Sequence, residues 1–296
     1  MSDVIIIPMP GNEAMARALA AELNIAVGSL LVRRFPDGES YVRLETPVGR
    51  RRIILVCTLD RPDQKFLPLI FAAGAARELG ASGVGLVAPY LAYMRQDRRF
   101  QSGEAVTSTH FAAALNPWVD WLVTVDPHLH RRTSLSEIYA IPSVVQHAAP
   151  AISGWIRDNV DNPVLVGPDS ESEQWVAAVA KDAGAPFAVL EKVRKGDRDV
   201  EISAPQVEEW GGRTPVLVDD IISTARTMME TVGLLKNAGL PPPVCIGVHA
   251  VFADNAYQEL RTAGAGRVIT CNTIEHESNE IELGKLIANG VRTMLK

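Results

Sequence analysis

The sequence predicts an α/β protein built from two similar halves, each a mostly parallel sheet flanked by helices. Short apolar runs alternate with helical patterns along the whole chain, and this alternation is typical of parallel sheets covered by helices. An apolar strand that ends in aspartate also recurs, in Leu122–Asp126, Val164–Asp169 and Val216–Asp220. Because the pattern restarts near residue 145, we expect an N-terminal domain over 1–145 and a C-terminal domain over 146–280.

The individual elements follow from the spacing of apolar residues. Short runs rich in valine and isoleucine predict buried strands, and apolar positions three and four residues apart predict helices. Alanines favour the second helix, and Gly80 is placed to end it. The predicted strands are Val4–Ile7, Ile53–Thr58, Val84–Ala88, Trp121–Val125, Pro163–Val166, Phe187–Leu190, Val216–Val218, Val244–Val251 and Val268–Cys271. The predicted helices lie at about 12–23, 64–79, 106–115, 172–183, 225–238, 254–263 and 281–294.

Composition and charge narrow the class of protein. Apolar residues make up 47% of the chain and charged residues 22%, as in globular proteins. The net charge of −6 argues against nonspecific binding to nucleic acid. With no signal peptide and no apolar stretch near about 18 residues, we expect a cytoplasmic protein without a membrane partner. The three cysteines have no metal-binding spacing, so we expect buried structural thiols at Cys57, Cys245 and Cys271.

The most informative segment is 216–227. Its apolar start predicts a strand over Val216–Val218, and Asp219 and Asp220 follow at the carboxyl end, where open α/β sheets bind ligands. Three hydroxyl residues then precede a helical pattern. They can cap that helix and contact a phosphate, and a helix start favours an anion. The segment therefore predicts a sugar-phosphate site, with a strand–turn–helix carrying two capping aspartates as the alternative. The hydroxyl residues are Ser223, Thr224 and Thr227.

Four further polar segments each allow two interpretations. Phe35–Glu39 contains Pro-Asp-Gly between strand-like flanks, so by itself it predicts an ordinary hairpin. Tyr93–Arg99 carries three arginines, which suit phosphate oxygens but also occur in solvated loops. His128 follows a predicted strand, and imidazole can bind a metal, although a loop histidine usually faces solvent. The charged run Lys192–Asp199 is either a solvated surface or a loop that folds over phosphates.

Taken together, these segments resemble those of a known family. Residues 216–227 resemble the phosphoribosyl pyrophosphate (PRPP) motif of the phosphoribosyltransferase fold. The other four narrow the resemblance to the ribose-phosphate pyrophosphokinase, or PRPP synthetase, family. Two are similar to its ATP-binding segments, one to its metal motif and one to the start of its mobile catalytic loop. In that order they are Phe35–Glu39, Tyr93–Arg98, Asp126–His128 and Lys192–Arg194.

The resemblance implies two phosphoribosyltransferase-like domains, with the final helix, 281–296, returning to the N-terminal one. It also implies a role for each matching residue. The implied catalytic residues are Lys192 and Arg194, and the implied metal ligands are His128 and Asp169. The implied ATP-binding residues are Phe35, Asp37, Gly38, Glu39, Arg95 and Gln96. The implied ribose 5-phosphate-binding residues are Asp219, Asp220, Ser223, Thr224, Ala225, Arg226 and Thr227.

The activity that the resemblance implies is a diphosphoryl transfer. The group moves from Mg·ATP to the 1-hydroxyl of ribose 5-phosphate and gives PRPP and AMP, with Mg²⁺ as the cofactor. The expected partners are ATP, ribose 5-phosphate and further copies of the chain, in a homo-oligomer that is at least a dimer, with a hexamer as one alternative. Nucleic acid and membrane are not expected partners.

Two departures from the family pattern lie near the expected sugar-phosphate site. Arg226 replaces a glycine that is usual in the family's phosphate loop, and Ser170-Glu171-Ser172 replaces its usual Ala-Gly-Gly. They leave two alternatives open: a catalytically weak regulatory subunit that binds a true synthetase, and a phosphoribosyltransferase that consumes PRPP. The retained Lys192 and Arg194 argue against the first alternative, and the two ATP segments against the second. We expect Arg226 to point toward the phosphate pocket, with an arginine facing solvent as the alternative.

Overall fold

The computed structural model of the protein describes residues 3–129, 131–167, 172–189, 191–195, 199–203 and 210–296. The chain divides into two compact units. Unit 1 consists of Met1–His147, Thr273–Glu275 and Leu283–Lys296. Unit 2 consists of Ala148–Asn272 and His276–Glu282.

Unit 1 is a six-stranded parallel sheet covered by helices, with a two-stranded hairpin of its own. The four central strands of the sheet read as continuous apolar runs because both of their faces are buried. Its strands are β1 (Val4–Pro8), β2 (Ala26–Val27), β3 (Leu30–Arg34), β4 (Ser40–Leu44), β5 (Arg52–Val56), β6 (Gly83–Ala88), β7 (Trp121–Val125) and β8 (Ser143–Gln146). Its helices are α1 (Glu13–Leu23), α2 (Pro62–Glu78), α3 (Thr107–Leu115) and the C-terminal α8 (Gly284–Leu295).

Unit 2 repeats this architecture. It also has a six-stranded parallel sheet and a separate two-stranded hairpin. Its strands are β9 (Pro163–Gly167), β10 (Phe187–Val189), β11 (Glu191–Lys195), β12 (Asp199–Ser203), β13 (Thr214–Ile222), β14 (Val244–Ala250), β15 (Arg267–Cys271) and β16 (Asn279–Ile281). Its helices are α4 (Ala149–Asn159), α5 (Glu173–Ala183), α6 (Arg226–Asn237) and α7 (Ala256–Ala263).

The two sheets share one strand order. It is β2-β1-β5-β6-β7-β8 in unit 1 and β10-β9-β13-β14-β15-β16 in unit 2. In each unit the hairpin, β3–β4 or β11–β12, is inserted between the second and third strands of the sheet in chain order. The helices α8 and α4 also occupy corresponding places. In unit 1, α8 packs on α1, the helix after the first strand, and in unit 2, α4 packs on α5, the helix after the first strand there. The chain is therefore an internal duplication at the level of topology.

This strand order fixes where ligands are expected. The direction of strand succession reverses between β1 and β5 in unit 1 and between β9 and β13 in unit 2. Open α/β sheets bind ligands in the crevice beyond the carboxyl ends of the strands at such a reversal. In unit 2 the two loops at the reversal follow Gly167 and Ile222.

The predicted α/β class with two parallel sheets is confirmed. Each predicted strand and helix has a counterpart among the observed elements, and the three cysteines are buried and free. Gly80 follows α2 with φ +85° and ends it as predicted. The strands β2, β8, β11, β12 and β16 and the helix α4 were not predicted. The strands β8 and β16 are short edge strands, and α4 follows a proline-containing stretch with a weak apolar pattern. Within the described residues, every helix is too short or too polar to cross a membrane.

Candidate active site

The loop from β13 to α6 forms the helix start at the reversal in unit 2. Ala225 is the N-cap of α6 and has a left-handed backbone, φ 55° and ψ 9°. The carbonyls of Ile222 and Ser223 accept hydrogen bonds from the loop after β14 instead of from α6. Among the described residues, the backbone N–H groups of 224–227 have no acceptor. Unpaired N–H groups and the positive end of the helix dipole make this loop suitable for an anion.

Two details of this loop correct the sequence interpretation. We predicted that Ser223, Thr224 and Thr227 could cap α6, but the N-cap is Ala225 and it makes no side-chain cap hydrogen bond. The positive φ lies at Ala225, and Arg226 is the first helical residue. An arginine in place of glycine at 226 therefore costs no left-handed strain. Its side chain is exposed and makes no ion pair with any described residue.

Asp219 and Asp220 lie within a strand and not after one. We placed the end of the strand at Val218, but β13 continues to Ile222 because its pairing with β14 persists through Ile221 and Ile222. Both aspartates are only partly buried, and Asp219 Oδ1 accepts the Asp220 backbone N–H at 2.9 Å. The two carboxylates thus lie on β13, just before residues 223–227.

The second loop at this reversal follows β9. Its predicted metal ligand, Asp169, lies outside the described residues, as do Ser170 and Glu171. Gly167 is the last residue of β9, and a Cβ there would come within 2.8 Å of Ser172 Oγ. The metal role of Asp169 stays a prediction.

The basic segment predicted as a loop is a hairpin. Glu191–Lys195 pairs antiparallel with Asp199–Ser203, with Lys192 opposite Ile202 and Arg194 opposite Val200. The hairpin follows the short edge strand β10. Its place in unit 2 corresponds to that of the β3–β4 hairpin in unit 1.

The β3–β4 hairpin carries four of the predicted ATP-binding residues. Its turn is closed by the Phe35 N–H to the Glu39 carbonyl at 2.8 Å and by the Glu39 N–H to Asp37 Oδ1 at 3.1 Å. Gly38 has φ +93°, which suits glycine. Phe35 is 39% exposed, and the guanidinium of Arg33 lies 4.7 Å from its ring centroid. A large exposed ring beside a cation is able to stack on a planar base.

The second segment that we predicted to bind ATP, Tyr93–Arg98, follows β6, and its polar side chains form hydrogen bonds and an ion pair. Gln96 accepts a hydrogen bond from the Thr107 hydroxyl at 3.1 Å, so its amide oxygen is already engaged. Arg95 is exposed. Asp97 forms an ion pair with Arg131 at 3.3 Å and has a nearly buried side chain. The Asp97–Arg131 ion pair thus links the segment after β6 to the segment after β7.

Tyr93 anchors the start of the same segment. It has a left-handed backbone with φ 61°, and its ring lies 4.9 Å from that of Phe111. Its hydroxyl donates to the Asp63 carboxylate, and this hydrogen bond raises the pKa of Tyr93 to about 12.

The predicted metal motif lies in a tight turn after β7. Asp126 has φ 32° and His128 has φ 54°, and the His128 N–H donates to the Asp126 carbonyl at 2.9 Å. Asp126 is buried, and its Oδ1 lies 2.8 Å from His147 Nδ1. This hydrogen bond raises the pKa of His147. The sequence interpretation missed His147 because it lies 21 residues further along the chain.

At the corresponding reversal in unit 1, several groups form hydrogen bonds with Thr58, in the loop after β5. The buried amide of Asn12 accepts the Thr58 N–H at 2.7 Å, and the Thr58 hydroxyl donates to the Thr273 carbonyl at 2.6 Å. Lys65 donates to the Thr58 carbonyl at 3.1 Å and forms an ion pair with Asp60. The helix that follows, α2, also begins after a left-handed residue, Arg61. The backbone N–H groups of Asp60, Arg61 and Asp63 also lack an acceptor among the described residues, so unpaired N–H groups do not distinguish the two crevices.

Comparison with known proteins agrees with this arrangement. A family model described as the N-terminal domain of ribose phosphate pyrophosphokinase matches residues 4–117, and a model of the phosphoribosyl transferase domain matches residues 134–285. Fold and family models thus define a protein of the phosphoribosyltransferase class with a second domain, which matches the N-terminal domain of ribose phosphate pyrophosphokinase.

Full-length relatives narrow the class. A ribose-phosphate pyrophosphokinase from Methanopyrus kandleri is 31% identical over 294 residues, which is 98% of this chain and 99% of the relative. One from Methanothermobacter thermautotrophicus is 33% identical over 286 residues, 96% of this chain and 99% of the relative. The chain belongs to the ribose-phosphate pyrophosphokinase family, and it is an enzyme.

A solved structure confirms the fold. A phosphoribosylpyrophosphate synthetase from Mycobacterium smegmatis superposes with a TM-score of 0.85, at 24% identity, over 99% of each chain.

Proposed function

We propose that this protein transfers the β,γ-diphosphoryl group of Mg·ATP to the 1-hydroxyl of ribose 5-phosphate. The hydroxyl oxygen forms a bond to the β-phosphorus of ATP. The bond from that phosphorus to the oxygen shared with the α-phosphate breaks, AMP leaves with that oxygen, and the hydroxyl proton is released. The products are PRPP, AMP and a proton.

The observation that carries this proposal is the row of unpaired N–H groups at 224–227. These groups cradle the 5-phosphate in the proposal, and Asp219 and Asp220, further back on β13, accept hydrogen bonds from the ribose hydroxyls. Arg226, exposed at the first position of α6, adds a permanent cation to the same loop. A sugar that carries a phosphate matches this set of groups.

ATP is assigned to the two segments of unit 1. Phe35 stacks on the adenine, and Asp37 and Glu39 accept its amino hydrogens. Gly38 permits the tight turn that presents them. Arg95, exposed beside Gln96, binds phosphate oxygens with its fork of donors.

Lys192 and Arg194 are the proposed catalytic residues. A diphosphoryl group in transfer carries much negative charge, so catalysis depends on positioning and on cations placed where charge develops. A basic hairpin that folds over the phosphates supplies those cations and excludes water.

Mg²⁺ fits the residues proposed to hold it. This ion prefers oxygen and usually binds one or two carboxylates together with substrate phosphates and water. Within the described residues no group of three histidine, cysteine or acidic side chains forms a complete metal site, and Mg²⁺ does not need one. His128 would hold it, directly or through water, and Asp169 would hold a second metal ion or contact the ribose. When bound, Mg²⁺ neutralises charge on the phosphate oxygens.

The alternatives are weaker. A phosphoribosyltransferase that consumes PRPP has no use for ATP segments, and the N-terminal family model covers residues 4–117. A regulatory subunit would differ from the proposed enzyme in forming little or no AMP in the assay below. The cytoplasmic location and the homo-oligomer stay predictions from the sequence.

One coupled assay tests the proposal. AMP formation is followed with ATP and Mg²⁺, with and without ribose 5-phosphate. We expect AMP to appear only when the sugar phosphate is present. Turnover without it, or no turnover under any condition, would contradict the proposal.

A further inference from the structure

The loop after β14 forms hydrogen bonds with two carbonyls at the end of β13, just before residues 224–227. The Phe252 N–H donates to the Ile222 carbonyl at 2.9 Å, and the Ala253 N–H donates to the Ser223 carbonyl at 3.1 Å. If α6 began one turn earlier, these carbonyls would accept the N–H groups of Arg226 and Thr227. The loop after β14 therefore leaves those N–H groups available for a ligand.

This loop has an unfavourable backbone conformation. Phe252 has φ 24° and Asp254 has φ 50°. Non-glycine residues are uncommon at positive φ and persist there only when their surroundings hold them. Some other contact must therefore fix the loop.

That contact is a cluster of three rings, Phe252, Tyr257 and His276, which we call the ring cluster. The Phe252 ring is 9% exposed and lies 4.6 Å from the His276 ring and 5.3 Å from the Tyr257 ring. Tyr257 and His276 complete the cluster at 4.9 Å with an edge-on geometry. Each of these distances lies in the range where ring pairs attract beyond their buried area.

His276 joins the ring cluster to the sheet. Its Nδ1 lies 2.8 Å from Ser278 Oγ and accepts the Ser278 backbone N–H at 3.2 Å. Ser278 Oγ lies 2.7 Å from Thr270 Oγ1 on β15, and both residues are buried. The His276 N–H donates to Asn279 Oδ1 at 3.0 Å. The imidazole is thus fixed by hydrogen bonds that reach the core of unit 2.

We infer that the ring cluster positions the phosphate-binding loop of this enzyme, with Phe252 as the key positioning residue. The inference rests on the proposed function for its ligand, ribose 5-phosphate. Phe252 does not touch the sugar phosphate. It holds the loop after β14 so that the Ile222 and Ser223 carbonyls stay turned away from α6, and the N–H groups of 224–227 stay free for the phosphate.

Steady-state kinetics on two pairs of variants test this inference. Phe252→Leu keeps an apolar side chain but removes both ring contacts, and Tyr257→Leu removes one ring from the opposite side. We expect Phe252→Leu to raise the KM for ribose 5-phosphate about tenfold, and Tyr257→Leu less, because each ring pair is worth about 0.5–1.5 kcal/mol and about 1.4 kcal/mol is tenfold. The kcat at saturating substrate and the KM for ATP should change little.

The controls separate positioning from general destabilisation. Phe187→Leu makes the same substitution at an exposed ring of β10 outside the cluster, and it should leave every constant unchanged. Tyr257→Phe keeps the ring and should restore the parent KM. Hydrogen exchange gives a second readout, in which the amides of Phe252 and Ala253 should exchange faster in Phe252→Leu while the core strands stay protected.

The outcomes distinguish this inference from the proposed function. If the parent forms no AMP from ATP and ribose 5-phosphate, the proposed function is wrong. If the parent is active and Phe252→Leu has the parent KM for ribose 5-phosphate, the positioning role is wrong and the function stands. Equal increases in the KM for ATP and for the sugar phosphate would also overturn the positioning role.

Discussion

Replacing Arg226 by alanine should improve stability and impair substrate binding at the same time. Arg226 occupies the first position of α6, where the helix dipole is positive and a cation is unfavourable. Removing it should raise the free energy of unfolding by about 0.3–1 kcal/mol. Among the described residues it has no ion pair to lose, so nothing offsets this gain.

The loss in binding follows from the exposure of the side chain. Two unit charges about 4 Å apart attract by about 1 kcal/mol in water and about 4 kcal/mol near a protein surface. Arg226 is exposed, so we take its attraction to the substrate phosphate as about 1–2 kcal/mol. Losing that attraction should raise the KM for ribose 5-phosphate about 5- to 30-fold. Raising the salt concentration should narrow the difference between parent and variant, because salt screens exposed charges.

The assay is AMP formation against ribose 5-phosphate concentration, together with denaturant unfolding. Lys236→Ala is the matched control, because it removes one positive charge from the opposite end of the same helix. It should leave the KM unchanged and, by the same dipole argument, lower the stability slightly. Arg226→Lys should lie between parent and alanine, since it keeps the charge without the fork of donors. A parent-like KM in Arg226→Ala would refute a phosphate-binding role for this residue.

Four further predictions concern other parts of the chain. Lys192→Ala should lower kcat by about 10²-fold or more, as for a transition-state donor; a raised KM with normal kcat would remove Lys192 from catalysis. Phe35→Ala combined with Asp37→Ala should weaken ATP binding in calorimetric titration and leave the affinity for ribose 5-phosphate unchanged. Equal losses of affinity for both ligands would indicate that the hairpin has only a structural role. Burial raises the pKa of Cys57 to about 12, so a thiol reagent should label it only after unfolding, and rapid labelling of the native protein would contradict its placement. Partial burial lowers the pKa of His276, so the unfolded chain binds the proton more readily and stability should fall as the pH drops below about 6.5. His276→Gln should show a shallower fall, and an unchanged pH profile would argue against a neutral His276 ring in the folded protein.

The sequence determined the fold class and the family. Parallel strands buried on both faces read as apolar runs in any context, so their positions follow from residue pattern alone. The segments that carry the family resemblance are equally local, since each is a few consecutive residues. Arg226 and Ser170–Ser172 stand out as departures for the same reason.

The ends of the strands and helices, and their caps, depend on distant parts of the chain and not on the neighbouring residues alone. β13 extends through Asp219 and Asp220 because β14 supplies a pairing partner as far as Ala250. α6 begins after Ala225 because the loop after β14 occupies the Ile222 and Ser223 carbonyls. Neither partner can be inferred from residues 214–227 themselves.

The tertiary structure alone decided which distant side chains come together. Asp126 meets His147 only because β7 and β8 are neighbours, and Phe252 meets His276 only because the chain returns through β15. In unit 1, Asn12 likewise accepts the Thr58 N–H from another loop of the chain. Local sequence predicts the groups that are able to bind a phosphate, but contacts between distant segments decide whether those groups are free to bind it.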